Sequence, residues 1–199
     1  MAISFPRTLP TVTGIRRVDI RAVNAVAYSR SPFTFSGQAH KYPGQMWQAD
    51  ITLPAMSRSN AEKWNAFLLS MNGQAGTFLL GDPRACWLMG TATSCTITGS
   101  AGDSTVDATV PSGQTLLAGD YIQLGSGATA TLHKVLVDYT GTGSATDLEI
   151  WPSLRVNRSG ATAVLSNTVG VFRLASNETG WTSDEIAKYG ITFGAMEAI

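Results

Sequence analysis

The chain has 199 residues, of which only 14% are charged, and 14 basic side chains balance 14 acidic ones. This length allows one domain or two small ones, and the zero net charge excludes a general attraction to nucleic acid or anionic membrane. The two cysteines, Cys86 and Cys95, form no C-x-x-C motif, and no stretch resembles a secretion signal or reaches bilayer length. We therefore expect a reduced protein without a structural zinc or a membrane partner.

The first predicted elements are strands. Apolar and polar residues alternate over residues 17–28 and again over residues 46–54, where Trp47, Ala49, Ile51 and Leu53 share one face. Pro54 is expected to end the second strand because it cannot donate to a ladder. Between the two strands, the segment GQAHKYPG, which contains His40, is predicted to be a polar loop.

A helix is predicted next, over residues 59–72. Ser59 and Glu62 have capping-box spacing, and Gly73 is placed to end the helix in a left-handed conformation. The helix has one apolar stripe and is expected to lie across a sheet. The stripe consists of Ala61, Trp64, Phe67, Leu68 and Met71.

The glycine-rich segment GQAGTFLLGDPR, residues 73–84, raises the question of phosphate binding. A phosphate loop precedes a helix N-terminus, but this segment follows a helix, and its glycines at 73, 76 and 81 match no such motif. We interpret it as a helix stop, a buried strand that includes Phe78, and a turn at Asp82-Pro83.

From about residue 90 the chain becomes rich in Gly, Ser and Thr, with six short strand patterns that end in VGVFRLA (169–175). Such spacing is typical of a small antiparallel barrel. The last segment, YGITFGAMEAI, is strand-like and is expected to return to the first sheet. The fold is therefore predicted to be mainly β. A domain of residues 1–86 and 173–199 carries the one short helix, and residues 87–172 form an inserted barrel.

The residues for catalysis are few, and we expect no enzyme, cofactor or metal. His40 and His133 are the only histidines, and no nucleophile elbow accompanies them. Asp147 and Glu149 share one strand face, which is also the pattern of an exposed barrel strand. Of the five tryptophans, Trp151 stands at a strand end before a proline, so carbohydrate binding by the barrel stays open as an alternative.

One long stretch resembles minor tail proteins of long-tailed bacteriophages and prophages. Residues 46–84 match their W-x-A/V-x-I/L-x-L-P-P pattern, a helix with a W-x-x-F/L core, and G-x-x-G-x-F-x-L-G-D-P, with Ala55 in place of a second proline. Residues 116–155 resemble their inserted region, where A-G-D-x-I-x-L and L-x-I-W-P-x-L-R recur. The motif positions are Trp47, Leu53, Pro54, Ser59, Glu62, Trp64, Phe67, Gly73, Gly76, Phe78, Gly81, Asp82 and Pro83.

The chain as a whole is similar to the distal tail protein of siphovirus-type phages. This resemblance implies a β-rich domain that closes into a ring, usually hexameric, around the tail channel, and an outer barrel of the oligonucleotide/oligosaccharide-binding type. It implies a virion protein of the tail tip that is assembled in the host cytoplasm. Its partners would be its own copies, the tail tube protein, the tip hub, and either fibres or host glycan. DNA would pass through the lumen without specific binding.

The charges are unevenly distributed along the chain. Residues 1–84 carry nine Lys or Arg against four Asp or Glu, and residues 85–199 carry five against ten, so the two parts are at about +5 and −5. Chance is one explanation at this charge density. The alternative is two surfaces that face different partners, or each other, in an assembly.

Overall fold

The computed structural model describes residues 3–183 and 188–199. Strands make up 46% and helix 10% of the structure. It combines an antiparallel sheet, one α-helix packed against that sheet, and a closed six-stranded antiparallel barrel. The predicted mainly β fold class, with one helix and a small barrel, is confirmed.

The elements are numbered in chain order within the described residues. They are β1 (Arg17–Arg30), β2 (Gly37–Thr52), β3 (Met56–Ser57), α1 (Arg58–Ser70), β4 (Phe78–Leu80), β5 (Thr96–Gly99), β6 (Thr105–Thr109), β7 (Thr115–Leu116), β8 (Tyr121–Leu124), β9 (Thr131–Val135), β10 (Tyr139–Thr140), β11 (Thr146–Trp151), β12 (Arg158–Val164), β13 (Gly170–Leu174), β14 (Trp181–Ser183) and β15 (Lys188–Glu197).

The sheet has the order β1-β2-β15-β13-β4, and β3 and β14 pair with further parts of β15. The four apolar residues predicted for one face of the second strand are all buried, three of them in β2 and Leu53 directly after it, which confirms the alternation seen in the sequence. The last strand does return to this sheet, because β15 pairs with β2 from Thr192 opposite Thr52 to Met196 opposite Gln48. The strand prediction for the chain end is therefore confirmed.

Helix α1 buries the whole predicted stripe against the sheet. The capping-box prediction, however, is wrong. The N-cap is Ser57 and makes no side-chain cap bond, because the chain enters the helix directly from β3 and Ser59 already lies in the first turn. Glu62 instead faces Arg58 one turn earlier, at 3.8 Å.

The helix ends two residues before the predicted limit. Asn72 already adopts a left-handed conformation, with φ 51°, and Gly73 continues it with φ 65°. The Gly76 amide then donates to the Met71 carbonyl at 2.7 Å. The reversal begins at Asn72 because asparagine also tolerates this region, so the helix stop is shared between two residues.

The barrel has the closed order β11-β6-β5-β12-β8-β9. Five of these six strands correspond to predicted strand patterns, and the remaining one, β12, was not predicted. VGVFRLA forms β13 of the sheet instead, paired with β15 and β4. Another of the six predicted strand patterns, ATATLHKVLVDY (residues 128–139), is divided into β9 and β10. The proposed division into residues 1–86 with 173–199, and 87–172, stays a prediction.

Candidate functional site

The motif residues of the segment 46–84 lie mainly in the sheet core and its turns. Trp47, Leu53, Trp64, Phe67 and Phe78 are buried side chains of that core. Their aromatic rings and aliphatic chains are therefore used for packing, and each contributes about 1.5–3 kcal/mol of hydrophobic stabilisation.

The glycines of this segment are constrained by close backbone contacts. A Cβ on Gly81 would lie 2.0 Å from the carbonyl oxygen of Thr168, and one on Gly76 would lie 2.7 Å from that of Met71. The turn after β4 is closed by the Ala85 amide, which donates to the Asp82 carbonyl at 3.1 Å. This geometry explains the glycines by chain packing.

The two histidines have different surroundings. His133 is fully buried, with Nδ1 2.7 Å from the Pro152 carbonyl oxygen and Nε2 2.9 Å from Thr131 Oγ1. Burial, which outweighs the opposing hydrogen bond to Pro152, together with the nearby Arg155 and Arg158 lowers its pKa to about 4, so it is neutral at pH 7. His40 lies within β2, in contact with Tyr42. The prediction of a loop there is wrong.

The remaining candidate groups are dispersed. Cys95 is buried, and burial raises its pKa to about 11, while Cys86 donates a weak hydrogen bond to the Pro83 carbonyl oxygen. Asp147 and Glu149 are exposed on β11. Within residues 3–183 and 188–199, no group of three or more His, Cys, Asp or Glu side chains is placed to hold a metal ion.

The barrel is joined to the sheet by a buried ion pair that the sequence analysis missed. Arg155 Nη2 lies 2.7 Å from Glu197 Oε2 at the end of β15, and 2.6 Å from the Gln45 carbonyl oxygen. The same Glu197 oxygen accepts the Trp47 amide at 3.1 Å. Arg155 thus contacts β2 and β15 at once, and we call this region the junction.

Trp151 lies at the edge of the junction. Its ring meets Trp47 edge-on at 4.4 Å, and its indole N–H donates to Asn24 Oδ1 at 2.8 Å. Beside it, between β1 and the barrel, is a groove of about 410 Å³ that Tyr121 and Lys134 also line. Trp151 therefore both connects the barrel to β1 and forms one wall of a small groove.

The most prominent surface feature is a two-stranded extension of the sheet. β15 pairs with β2 only from Gln48 onward, whereas β1 and β2 remain paired to Arg30 opposite Gly37. We call residues 24–45 the arm. From residue 24 to 33 it extends about 30 Å, at roughly 3.3 Å per residue. No strand of the described chain pairs with the outer edge of β1.

The arm exposes many apolar side chains. Phe33 at its tip is 90% exposed and Phe35 is 66% exposed, and Val26, Tyr28 and Tyr42 are also exposed. Phe35 has the left-handed φ of 57°, and the Arg30 guanidinium lies over its ring at 4.6 Å. Exposed apolar side chains gathered on one projecting element indicate an interaction site in a folded protein.

One face of the barrel carries a group of exposed acidic side chains. Asp107 on β6 lies directly opposite Asp147 on β11, and Asp138 and Glu149 are exposed close by. Among the described residues, none of these four takes part in an ion pair. Like charges directly opposite on a sheet are destabilising, so this barrel face favours a cationic partner.

Comparison with known proteins adds no relative to this description. No protein-family model matches the chain, and no curated protein matches its sequence. Across residues 3–183 and 188–199, no helix is long and apolar enough to span a membrane. The molecule thus has three distinctive features: the projecting arm, the acidic face of the barrel, and the junction that connects the arm to the barrel.

Proposed function

We propose that this chain is a structural virion protein that forms a ring at the distal end of a bacteriophage tail tube. The ring joins the tube to the tip hub, and the barrel is available on the outside for peripheral fibres. The support is the resemblance of residues 46–84 and 116–155 to tail proteins, together with the arm. No cofactor takes part in this function.

The single observation that carries the proposal is the exposed arm with its open β1 edge. An unpaired edge of 14 residues is a template for association, and pairing with another chain is one way in which such an edge is covered. A surface that binds a different surface of an identical copy gives a heterologous contact, and repetition of that contact with a closing rotation gives a ring. The arm supplies the long contact that such a ring needs.

The proposal is tested by the size and shape of the purified protein. We expect light scattering after size exclusion at micromolar concentration, and negative-stain electron microscopy, to show a closed ring, most simply of six copies. Replacement of residues 27–40 by Asn-Gly shortens the arm to a tight turn beside Val26 and Lys41. This variant is expected to stay folded and to be monomeric. A wild-type protein that remains monomeric at this concentration would refute the proposal.

A carbohydrate-binding role for the barrel is the alternative, and the groove beside Trp151 is the observation that favours it. Tyr121 and Lys134 in this groove offer an aromatic wall and a hydrogen-bond donor, as sugar sites require. The alternative predicts glycan-array binding by the whole chain that is lost in Trp151→Ala, which removes the indole from the groove wall; a thermal melt verifies that the variant is folded. The absence of binding to any surface glycan would eliminate it.

A further inference from the structure

The arm tip combines apolar surface with unshared positive charge. Phe33 and Phe35 project at the turn beside Arg30, whereas Lys41 is paired with Val26, four residue pairs closer to the root of the arm. Residues 24–45 contain no acidic side chain. Every hydrogen bond of the tip residues 30–36 stays within the arm. The tip therefore presents two aromatic rings and the Arg30 cation, which no other part of the described chain engages.

A notch beside β11 has the complementary character. Its volume is about 220 Å³, and Asp138, Asp147 and Glu149 stand around it, with the exposed Val137 and the edge of Tyr139 as apolar wall. No basic residue lines it. Like the arm tip it is partly apolar, and its charge is opposite.

We propose that the arm tip of one copy docks into the notch on the barrel of a second copy, with Phe33 or Phe35 against Val137 and with Arg30 among the acids. Lys41 lies further back on the same face of the arm and adds to its positive charge. The inference rests on the ring proposed above and names the contact that closes it. It also gives the unequal charges of the two halves of the chain a physical role, because they meet between subunits.

The junction makes this contact one between copies. Asn24 and Gln45 at the root of the arm are held by Trp151 and by the Ser153 amide of the barrel, at 2.8 and 2.9 Å. The arm thus leaves its own barrel in a fixed direction, and its length of about 30 Å allows the tip to reach a neighbour. In a six-membered ring the spacing of neighbours equals the ring radius, so a reach of this order suits a ring around a channel.

The test is a pair of charge reversals and their combination in the full chain. We expect Arg30→Glu with Lys41→Glu to raise the concentration at which half the protein is assembled by tenfold or more. Asp147→Lys with Glu149→Lys is expected to do the same. The four changes in one chain place opposite charges together again, and we expect them to restore most of the assembly. Circular dichroism melting temperatures verify that each variant is folded.

The matched control is Arg58→Glu with Lys63→Glu, which changes the net charge equally on the exposed surface of α1. We expect it to assemble as the wild type does. The proposal is overturned if the arm or notch reversals leave assembly unchanged, if the combination fails to restore it, or if the control is equally defective. A wild-type ring that is indifferent to all these variants leaves the proposed function in place and removes only this contact, whereas a monomeric wild type removes both.

Discussion

Arg155 and Glu197 form an ion pair between the barrel and the last strand of the sheet, with Nη2 2.7 Å from Oε2 and side chains only 16% and 6% exposed. Both groups have further partners, since Arg155 donates to the Gln45 carbonyl and Glu197 accepts the Trp47 amide. A buried pair is stabilising only when such additional bonds are present. This arrangement therefore holds Gln45, at the root of the arm, in a fixed position relative to the barrel.

Removal of one partner of this pair should be costly. Glu197→Gln leaves the Arg155 guanidinium without its counter-charge, and we expect the free energy of unfolding to fall by about 3 kcal/mol. Urea denaturation measures this change. The control is Asp50→Asn, which breaks the exposed pair with Arg21 and should cost less than about 1 kcal/mol. Equal effects of the two substitutions would contradict the role given to the junction.

The stability should depend on pH through His133. Its folded-state pKa of about 4 lies below the ordinary 6.5, so the unfolded chain binds the proton first as the pH falls. The contribution of the neutral imidazole is complete above pH 6.5 and is lost progressively down to pH 4. The loss is about 3 kcal/mol over this window, from about 1.4 kcal/mol for each pKa unit.

The measurement for His133 is the free energy of unfolding between pH 7 and pH 4. His133→Gln should remove this component, so that its stability falls by about 3 kcal/mol less than that of the wild type over the window. His40→Gln, in the exposed arm, should follow the wild-type curve. Parallel curves for His133→Gln and the wild type would show that the imidazole does not titrate as its burial requires.

Gly81 should tolerate no side chain. An added Cβ would lie 2.0 Å from the Thr168 carbonyl oxygen, which belongs to the backbone. Gly81→Ala is therefore expected to lower the thermal stability by about 1–3 kcal/mol through overpacking. Gly14→Ala is the control, because no atom lies within 4 Å of a Cβ there. If both variants melt as the wild type does, the close approach of this turn to residue 168 is wrong.

Substitutions at the arm tip should weaken assembly without changing the stability of the fold. Phe33→Ser with Phe35→Ser changes exposed side chains, so we expect the unfolding free energy to stay within about 0.5 kcal/mol of the wild type. The same variant should require a higher concentration to assemble, since two apolar contacts are lost. Light scattering over a dilution series, beside a thermal melt, measures both. A variant with a lowered melting temperature but normal assembly would show that the Phe33 and Phe35 side chains stabilise the fold instead of the contact between copies.

The sequence was sufficient for the fold class, since alternation along β2 and the apolar stripe of α1 describe surfaces that are in fact buried. It was insufficient for β12. Gly160 there has φ 59°, and the pairing shifts between Arg158 and Ala161, so the strand shows no clean alternation. VGVFRLA has a clear strand pattern, but the pattern carries no information about which sheet the strand joins.

The arm and the junction could not be predicted for a related reason. The alternation over residues 17–28 indicates a strand, but only tertiary structure decides whether a strand has a core beneath it. The segment around His40 was therefore interpreted as a loop, although it continues β2. Arg155 and Glu197 are 42 residues apart and belong to no local motif, so their contact exists only in the folded chain.

The central claim is that this chain closes into a ring through its arm. The most direct test is electron microscopy of the purified wild-type protein at micromolar concentration, beside the variant in which Asn-Gly replaces residues 27–40. We expect closed rings of uniform size for the wild type and folded single subunits for the variant. Wild-type protein that remains a single subunit, or rings that persist without the arm, would contradict it.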